Sequence, residues 1–200
     1  MELLAYLKKN YQKGELIFLK DISILSKDNL RQQRKILSDK GFLIRYQRGV
    51  FLLPRKDKEY GDILPSFDTY LYSAYCCRRG HRFGYYDGKT QLALAGLLKN
   101  EEKEKTIYSN ETAIRKSFPG HTILPCKAEI TDWNYPILCF LEILSVIEDY
   151  EIPFLSAQSF LKDRIKKEGI NKTDRSFYAS YFPLSIYKAI FDYSLSSSLH

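Results

Sequence analysis

Between positions 29 and 48 the chain gathers side chains able to read a nucleic-acid duplex: Asn29, Arg31, Gln32, Gln33 and Lys35, then Arg45, Gln47 and Arg48. An arginine fork matches O6 and N7 of guanine, and a carboxamide matches N6 and N7 of adenine. Lysine and arginine also neutralise phosphates, which positions a protein without specifying sequence. The same residue types equally suit a solvated helix face, so the chemistry depends on the elements that carry them.

Competing chemistries find little support. His81, His121 and His200 are scattered, and although His121 follows Pro119-Gly120, no nucleophile or orienting carboxylate stands beside it. Asp87 and Asp132 are not paired in a metal-like spacing, Glu142 and Glu148 lack a histidine mate, and no phosphate-cradling glycine run occurs. Cys76, Cys77, Cys126 and Cys139 do not form paired CxxC units, which argues for reduced thiols rather than structural zinc. The expectation is a protein that is not an enzyme and uses no cofactor or metal. The N-terminus shows no targeting segment, and the longest apolar run, Ile137 to Ile147, contains Glu142 and is too short for a bilayer. A cytoplasmic protein with no membrane partner follows.

The elements that must position the reading residues can be traced in order. Leu3, Leu4 and Leu7 predict an amphipathic helix over 2–9, broken by Gly14. Glu15 to Phe18 reads as a strand and Leu19 to Leu25 as a short second helix. Ser26 or Asp28 can cap a third helix through Leu37, with Leu30 and Leu37 toward the core and Gly41 as its stop. On this reading Asn29, Arg31, Gln32, Gln33 and Lys35 fan over the other faces. Phe42 to Ile44 and Val50 to Leu53 form two strands, joined through Gly49 and ended by Pro54, with Arg45, Gln47 and Arg48 on the wing. Three helices and a basic hairpin make a winged helix-turn-helix, whose third helix enters the major groove.

Charge agrees with that division. Residues 1–60 hold fourteen Lys/Arg against seven Asp/Glu, which equals the whole net charge of +7; residues 61–200 are balanced. The join Asp57 to Pro65 marks the expected boundary, giving a DNA-binding domain over 1–58 and a mixed α/β domain over 59–200 with a helical C-terminus. The class is therefore α/β (α+β).

In the rear domain, helices are expected over Phe67–Cys77, Gly88–Leu98, Tyr135–Asp149 and Phe154–Glu168. A further helix is capped by Thr173 and interrupted by Pro183; strands are expected at Thr106–Ser109 and His121–Leu124. Arg78 to Tyr86 interleaves basic and aromatic residues, which suits single strands by stacking, although its glycines read as turn punctuation. Lys162, Arg164, Lys166 and Lys167 form a basic stretch that is either a second nucleic-acid contact or a solvated face. Ser194 to His200 reads as a frayed tail.

Lys40-Gly41-Phe42-Leu43-Ile44-Arg45, Arg48-Gly49-Val50-Phe51 and Pro54 resemble the winged-helix end of AbiEi-type antitoxins, of the AbiE toxin–antitoxin and abortive-infection systems. The similarity continues through Tyr60-Gly61, Pro65-Ser66, Gly84-Tyr85-Tyr86-x-Gly88, Ala95-Gly96-Leu97 and Ile107-Tyr108-Ser109-Asn110, roughly residues 20–150. Lys99 to Lys103 stands where members often carry a Thr-Gln-x-Pro stretch, and Arg34 where a core leucine is usual. There Arg34 can snorkel outward, with Ile36 filling the gap. The resemblance implies an autorepressor of its own operon that opposes a nucleotidyltransferase-type toxin, generally without stable binding, and the basic winged-helix pattern adds the expectation of an inverted repeat in the chain's own promoter. The alternatives are a winged-helix transcription factor whose rear domain binds a ligand or dimerises, and a nucleic-acid-modifying enzyme that uses the winged helix for targeting.

Overall fold

The computed structural model describes residues 2–98 and 104–193. The charged loop Lys99–Lys103 and the tail Ser194–His200 lie outside the described residues. The chain is mixed α/β and divides into two compact units, Met1–Ser73 and Ala74–His200.

The first unit runs α1 (Glu2–Asn10), β1 (Leu16–Phe18), α2 (Lys27–Asp39), β2 (Ile44–Gln47), β3 (Val50–Leu52), β4 (Lys56–Asp57), β5 (Gly61–Asp62) and the larger part of α3 (Phe67–Tyr75). β1, β3 and β2 form an antiparallel sheet in that order. Helix, strand, helix and hairpin run in the expected order, with two corrections: the first hairpin strand is Ile44–Gln47 rather than Phe42 to Ile44, and the second helix is absent. Leu19 to Leu25 is not a helix; only Leu19–Asp21 makes a 3₁₀ turn. The Leu19 N–H donates to the Gly49 carbonyl at 2.9 Å, tying that turn to the hairpin. Ile22, Ser23 and Ile24 add weak helix propensity, and Ser26 then caps α2 by accepting from the Asn29 N–H. Leu3, Leu7, Ile17, Leu30, Leu37, Leu43 and Phe51 make the core.

The first unit continues past the boundary expected at 58. The segment 56–62 is a second hairpin, and the Ile63 N–H donates to the Arg55 carbonyl at 2.8 Å. Asp57 accepts the N–H groups of Glu59 and Tyr60, which holds its carboxyl below the usual range. The Tyr46 hydroxyl donates to the Pro65 carbonyl at 3.1 Å, and the Tyr70 ring stacks on Phe18 with centroids 6.4 Å apart. These contacts fasten the start of α3 to the sheet of the first unit, so the division falls inside α3.

The second unit contains the end of α3, β6 (Cys77–Arg78), β7 (His81–Arg82), β8 (Gly84–Tyr86), α4 (Gly88–Leu94), β9 (Lys105–Ser109), β10 (Lys116–Phe118) and β11 (His121–Pro125). Four helices follow: α5 (Tyr135–Leu144), α6 (Phe154–Glu168), α7 (Lys172–Ala179) and α8 (Ser185–Asp192). Its sheet has the order β10-β11-β9-β8, with β9 and β11 parallel. α5 is buried from Ile137 to Leu144 and packs against α4, α6, α7 and α8. It stops at Leu144, short of the expected Asp149, where the Ser145 hydroxyl turns back to donate to the Glu142 carbonyl. α4 ends at Leu94 because Gly96 adopts φ +73° and the Leu97 N–H closes onto Leu92. α3 gives way to β6 at Cys77, and Asn171, not Thr173, caps α7 by accepting from the Asp174 N–H. Among the described residues no helix is long and apolar enough to cross a membrane.

α5 buries one charge. Glu142 accepts from Lys127 Nζ at 2.8 Å, and that ammonium lies 4.9 Å from the Tyr108 ring centroid and 4.6 Å from that of Phe182. Burial pushes the Glu142 carboxyl up, and Lys127 opposes the shift. Lys127→Met keeps a stem of similar length but removes the counter-charge. With its pKa raised further in the folded state, Glu142 binds a proton more tightly folded than unfolded, so stability falls as pH rises. The variant should lose about 3 kcal/mol near neutral pH and much less near about pH 4, read as urea midpoints. The double variant with Glu142→Gln should lose that pH dependence.

Candidate nucleic-acid interface

α2 has a four-position inward stripe: Leu30, Gln33, Arg34 and Leu37, at the i, i+3, i+4, i+7 spacing of one helix face. Leu30 and Leu37 are buried and the two polar residues between them half-buried. Gln33 Oε1 accepts the Leu3 N–H at 2.9 Å, satisfying a donor in the first turn of α1 that has no partner inside its own helix. Its amide nitrogen donates to Asn29 Oδ1, also at 2.9 Å. The Arg34 guanidinium lies 5.4 Å from the centroid of the buried Phe51 ring on β3. Arg34 thus packs inward rather than snorkelling out, and Ile36 is exposed rather than filling the position.

This arrangement divides the five α2 residues expected to face a duplex. Arg31, Gln32 and Lys35 are exposed on the face opposite the inward stripe. Asn29 is exposed too, but its carbonyl oxygen is engaged by Gln33. Gln33 is withdrawn from the outer surface, which corrects its expected place among the base-reading residues. The signal was present in the sequence: a helix buried at positions 30 and 37 must also turn 33 and 34 inward. Asp28 and Asp39 lie exposed near the ends of α2, so the positive potential is concentrated on its middle turns.

The hairpin carries the other three. Along β2, Ile44 and Tyr46 are half-buried while Arg45 and Gln47 are exposed, and Arg48 is exposed in the turn. A β-bulge between Arg45 and Gln47 leaves Tyr46 without a partner on β3. Tyr46 reaches instead to Pro65, and partial burial raises its phenol pKa. Gly49 takes φ +78°, a conformation that closes the turn and that a side chain would strain. Arg31, Lys35, Arg45 and Arg48 form no ion pair among the described residues. The exposed set thus offers four cations and two carboxamides, Gln32 and Gln47, in one unit, which suits a polyanion with readable edges.

The basic stretches of the second unit are differently employed. Arg78 pairs with Glu111 at 3.1 Å and covers the Phe83 ring; Arg82 covers the Tyr135 ring at 4.2 Å. Asp132 accepts the Arg82 N–H at 2.7 Å, and Gly84 and Tyr85 are buried. The glycines of 78–86 therefore mark turns and a strand, not an open stacking surface. On α6, Arg164 pairs with Glu168 at 3.0 Å and Lys162 is half-buried, which leaves Lys166 and Lys167 exposed. Among the described residues no three His, Cys, Asp or Glu side chains gather as metal ligands.

A model described as a family of unknown function (DUF6088) matches residues 3–82. The matched stretch is similar to that family from α1 through β7, so it contains α2, both hairpins of the first unit and all of α3. No curated protein and no solved structure matches the chain.

The two neighbouring glutamines of α2 should respond unequally to the same change. Gln33→Ala leaves the Leu3 N–H without its acceptor and should cost about 1–2 kcal/mol in urea unfolding. Gln32→Ala removes only an exposed side chain and should stay within about 0.5 kcal/mol of the parent.

Proposed function

We propose that the chain is a sequence-specific DNA-binding repressor, with α2 in the major groove and the β2–β3 hairpin on the flanking backbone. The observation that carries this reading is the outward set Arg31, Gln32 and Lys35 on α2 with Arg45, Gln47 and Arg48 on the hairpin. Bidentate contacts from Arg31 and Gln32 supply base discrimination, and Lys35, Arg45 and Arg48 neutralise phosphates. The resemblance to AbiEi-type antitoxins extends the proposal to an autorepressor that counteracts a nucleotidyltransferase-type toxin, with the second unit as the part concerned. The support for that extension is the order of the shared fragments between about residues 20 and 150. A rear domain that binds a ligand or dimerises, in a regulator with no toxin partner, is the competing reading. A nucleotidyltransferase-like gene beside this one separates the two.

Binding to the gene's own upstream DNA and to unrelated duplex should be measured by fluorescence anisotropy across a salt series. The own site should bind at least about a thousandfold tighter, and log affinity should fall with log salt by about 0.9 for each phosphate neutralised. Equal affinity for both duplexes would remove the repressor reading while leaving general DNA binding intact. Arg31→Ala or Gln32→Ala should lose about 1–3 kcal/mol on the own site alone. Arg48→Ala should weaken both duplexes alike and lower the salt slope by about 1.

A further inference from the structure

A cavity of about 460 Å³ opens on the first unit, lined by Leu4, Lys8, Tyr11, Lys13, Gly41, Phe42, Leu53 and Pro54. Three elements build it. Leu4, Lys8 and Tyr11 follow one another along a single face of α1 and the residues just after it. Gly41 and Phe42 form the turn that leaves α2, and Leu53 and Pro54 end the hairpin. The floor is apolar: Tyr11 and Leu53 are buried, Leu4 is half-buried, and the Phe42 ring stands partly exposed at the edge. Only two charged side chains, Lys8 and Lys13, line the cavity, and both are exposed cations. No carboxylate answers them in the lining.

We infer that this cavity is a binding site for a small amphipathic carboxylate, whose apolar body lies on Leu4, Tyr11, Phe42 and Leu53 while its carboxylate is met by Lys8 and Lys13. Size, lining and charge each contribute. The volume lies in the range of small-molecule sites, which combine an apolar wall with a few orienting polar groups. Two ammonium groups beside an apolar floor favour an anion over a neutral molecule of the same shape. Three of the last carbonyls of α2 are engaged by backbone N–H groups at this turn and so do not point free into the cavity. The Lys40 N–H donates to Ile36, the Gly41 N–H to Ser38, and the Phe42 and Leu43 N–H groups to Leu37. The inference rests on the first unit alone and does not depend on the DNA reading.

The test is an amide NMR titration of the isotope-labelled full chain with phenylbutanoate and, separately, with phenylbutanol, which has the same skeleton without the charge. The acid should give saturable one-site shifts at Tyr11, Gly41, Phe42 and Leu53, and the alcohol should bind about tenfold more weakly. Lys8→Gln combined with Lys13→Gln should weaken the acid by at least about fivefold and leave the alcohol within about twofold. Phe42→Ala should weaken both probes. All three substituted side chains are exposed, and the dispersion of the same spectra reports that the fold is kept. Equal binding of acid and alcohol to the parent protein overturns the inference without any variant. So does a double variant that binds the acid unchanged, or an acid titration that shifts other residues or fails to saturate by about 20 mM.

Discussion

The rotation of α2 about its own axis decides what the first unit presents to its surroundings, and the Gln33 carboxamide sets that rotation. Burying Leu30 and Leu37 contributes most of the energy, about 1.5–3 kcal/mol each. Two leucines a heptad apart turn 33 and 34 inward but leave the helix some freedom of rotation about that face. The hydrogen bond from the Leu3 N–H to Gln33 has a narrow geometry, and the Arg34 guanidinium over Phe51 adds a second directional contact one residue on. Each is worth only about 1 kcal/mol, so neither holds the unit together. Turning α2 by one residue would break both at once and exchange Gln33 for Gln32. The side chains left outside, Arg31, Gln32 and Lys35, are outside because of what their neighbours do inside.

The hairpin is held by the same device. Its turn is tied to the sheet through the Gly49 carbonyl, which accepts the Leu19 N–H, and its strand is tied to the chain beyond through Tyr46 and Pro65. The first tie coincides with the loss of the second helix, since Leu19 is drawn to the hairpin where a helix would otherwise begin. The second carries the unit past residue 58, because Tyr46 and Phe18 together make the seat on which Tyr70 of α3 lies. A unit that lacks the expected helix in its middle thus gains an extension at its end.

How much of this could be read in the residues follows from the range of the forces involved. Leu3, Leu7, Leu30 and Leu37 placed α1 and α2 because apolar periodicity is local, and Gly41 and Gly49 marked the stops that positive φ requires. The inward turn of Gln33 follows from Leu30 and Leu37, but its bonding partner does not, because the Leu3 N–H lies thirty residues away and carries no side-chain signature. The hairpin at 56–62 was taken for a linker because its composition is that of a linker; only the contacts of Tyr46 and Tyr70 make it part of the unit. In the second unit, Gly84 and Gly88 were noticed as part of a resemblance, and the packing supplies the reason. An added Cβ would collide with the Tyr75 carbonyl oxygen at the first and the Glu142 carbonyl oxygen at the second. The cavity beside Lys8 and Lys13 has no sequence signature at all, since its walls come from three separate parts of the chain.

The charge on the interface bears on how many copies a DNA site would hold. Lys35, Arg45 and Arg48 can neutralise about three phosphates, a small electrostatic term that on its own corresponds to non-specific affinities of about 10⁻⁴–10⁻⁶ M. Base contacts from Arg31 and Gln32, at about 1–3 kcal/mol each, raise that by a few powers of ten at most. Specific repressors work at about 10⁻⁸–10⁻¹¹ M. A single copy of this interface reaches that range only when both contributions lie in the upper half of their spans. Two copies on one piece of DNA double the phosphate contacts and the base contacts together, and the second binds at the raised local concentration set by the first. On the proposed reading, an inverted repeat is therefore favoured by affinity as well as by symmetry: a short α2 surface and a short hairpin gain most in pairs.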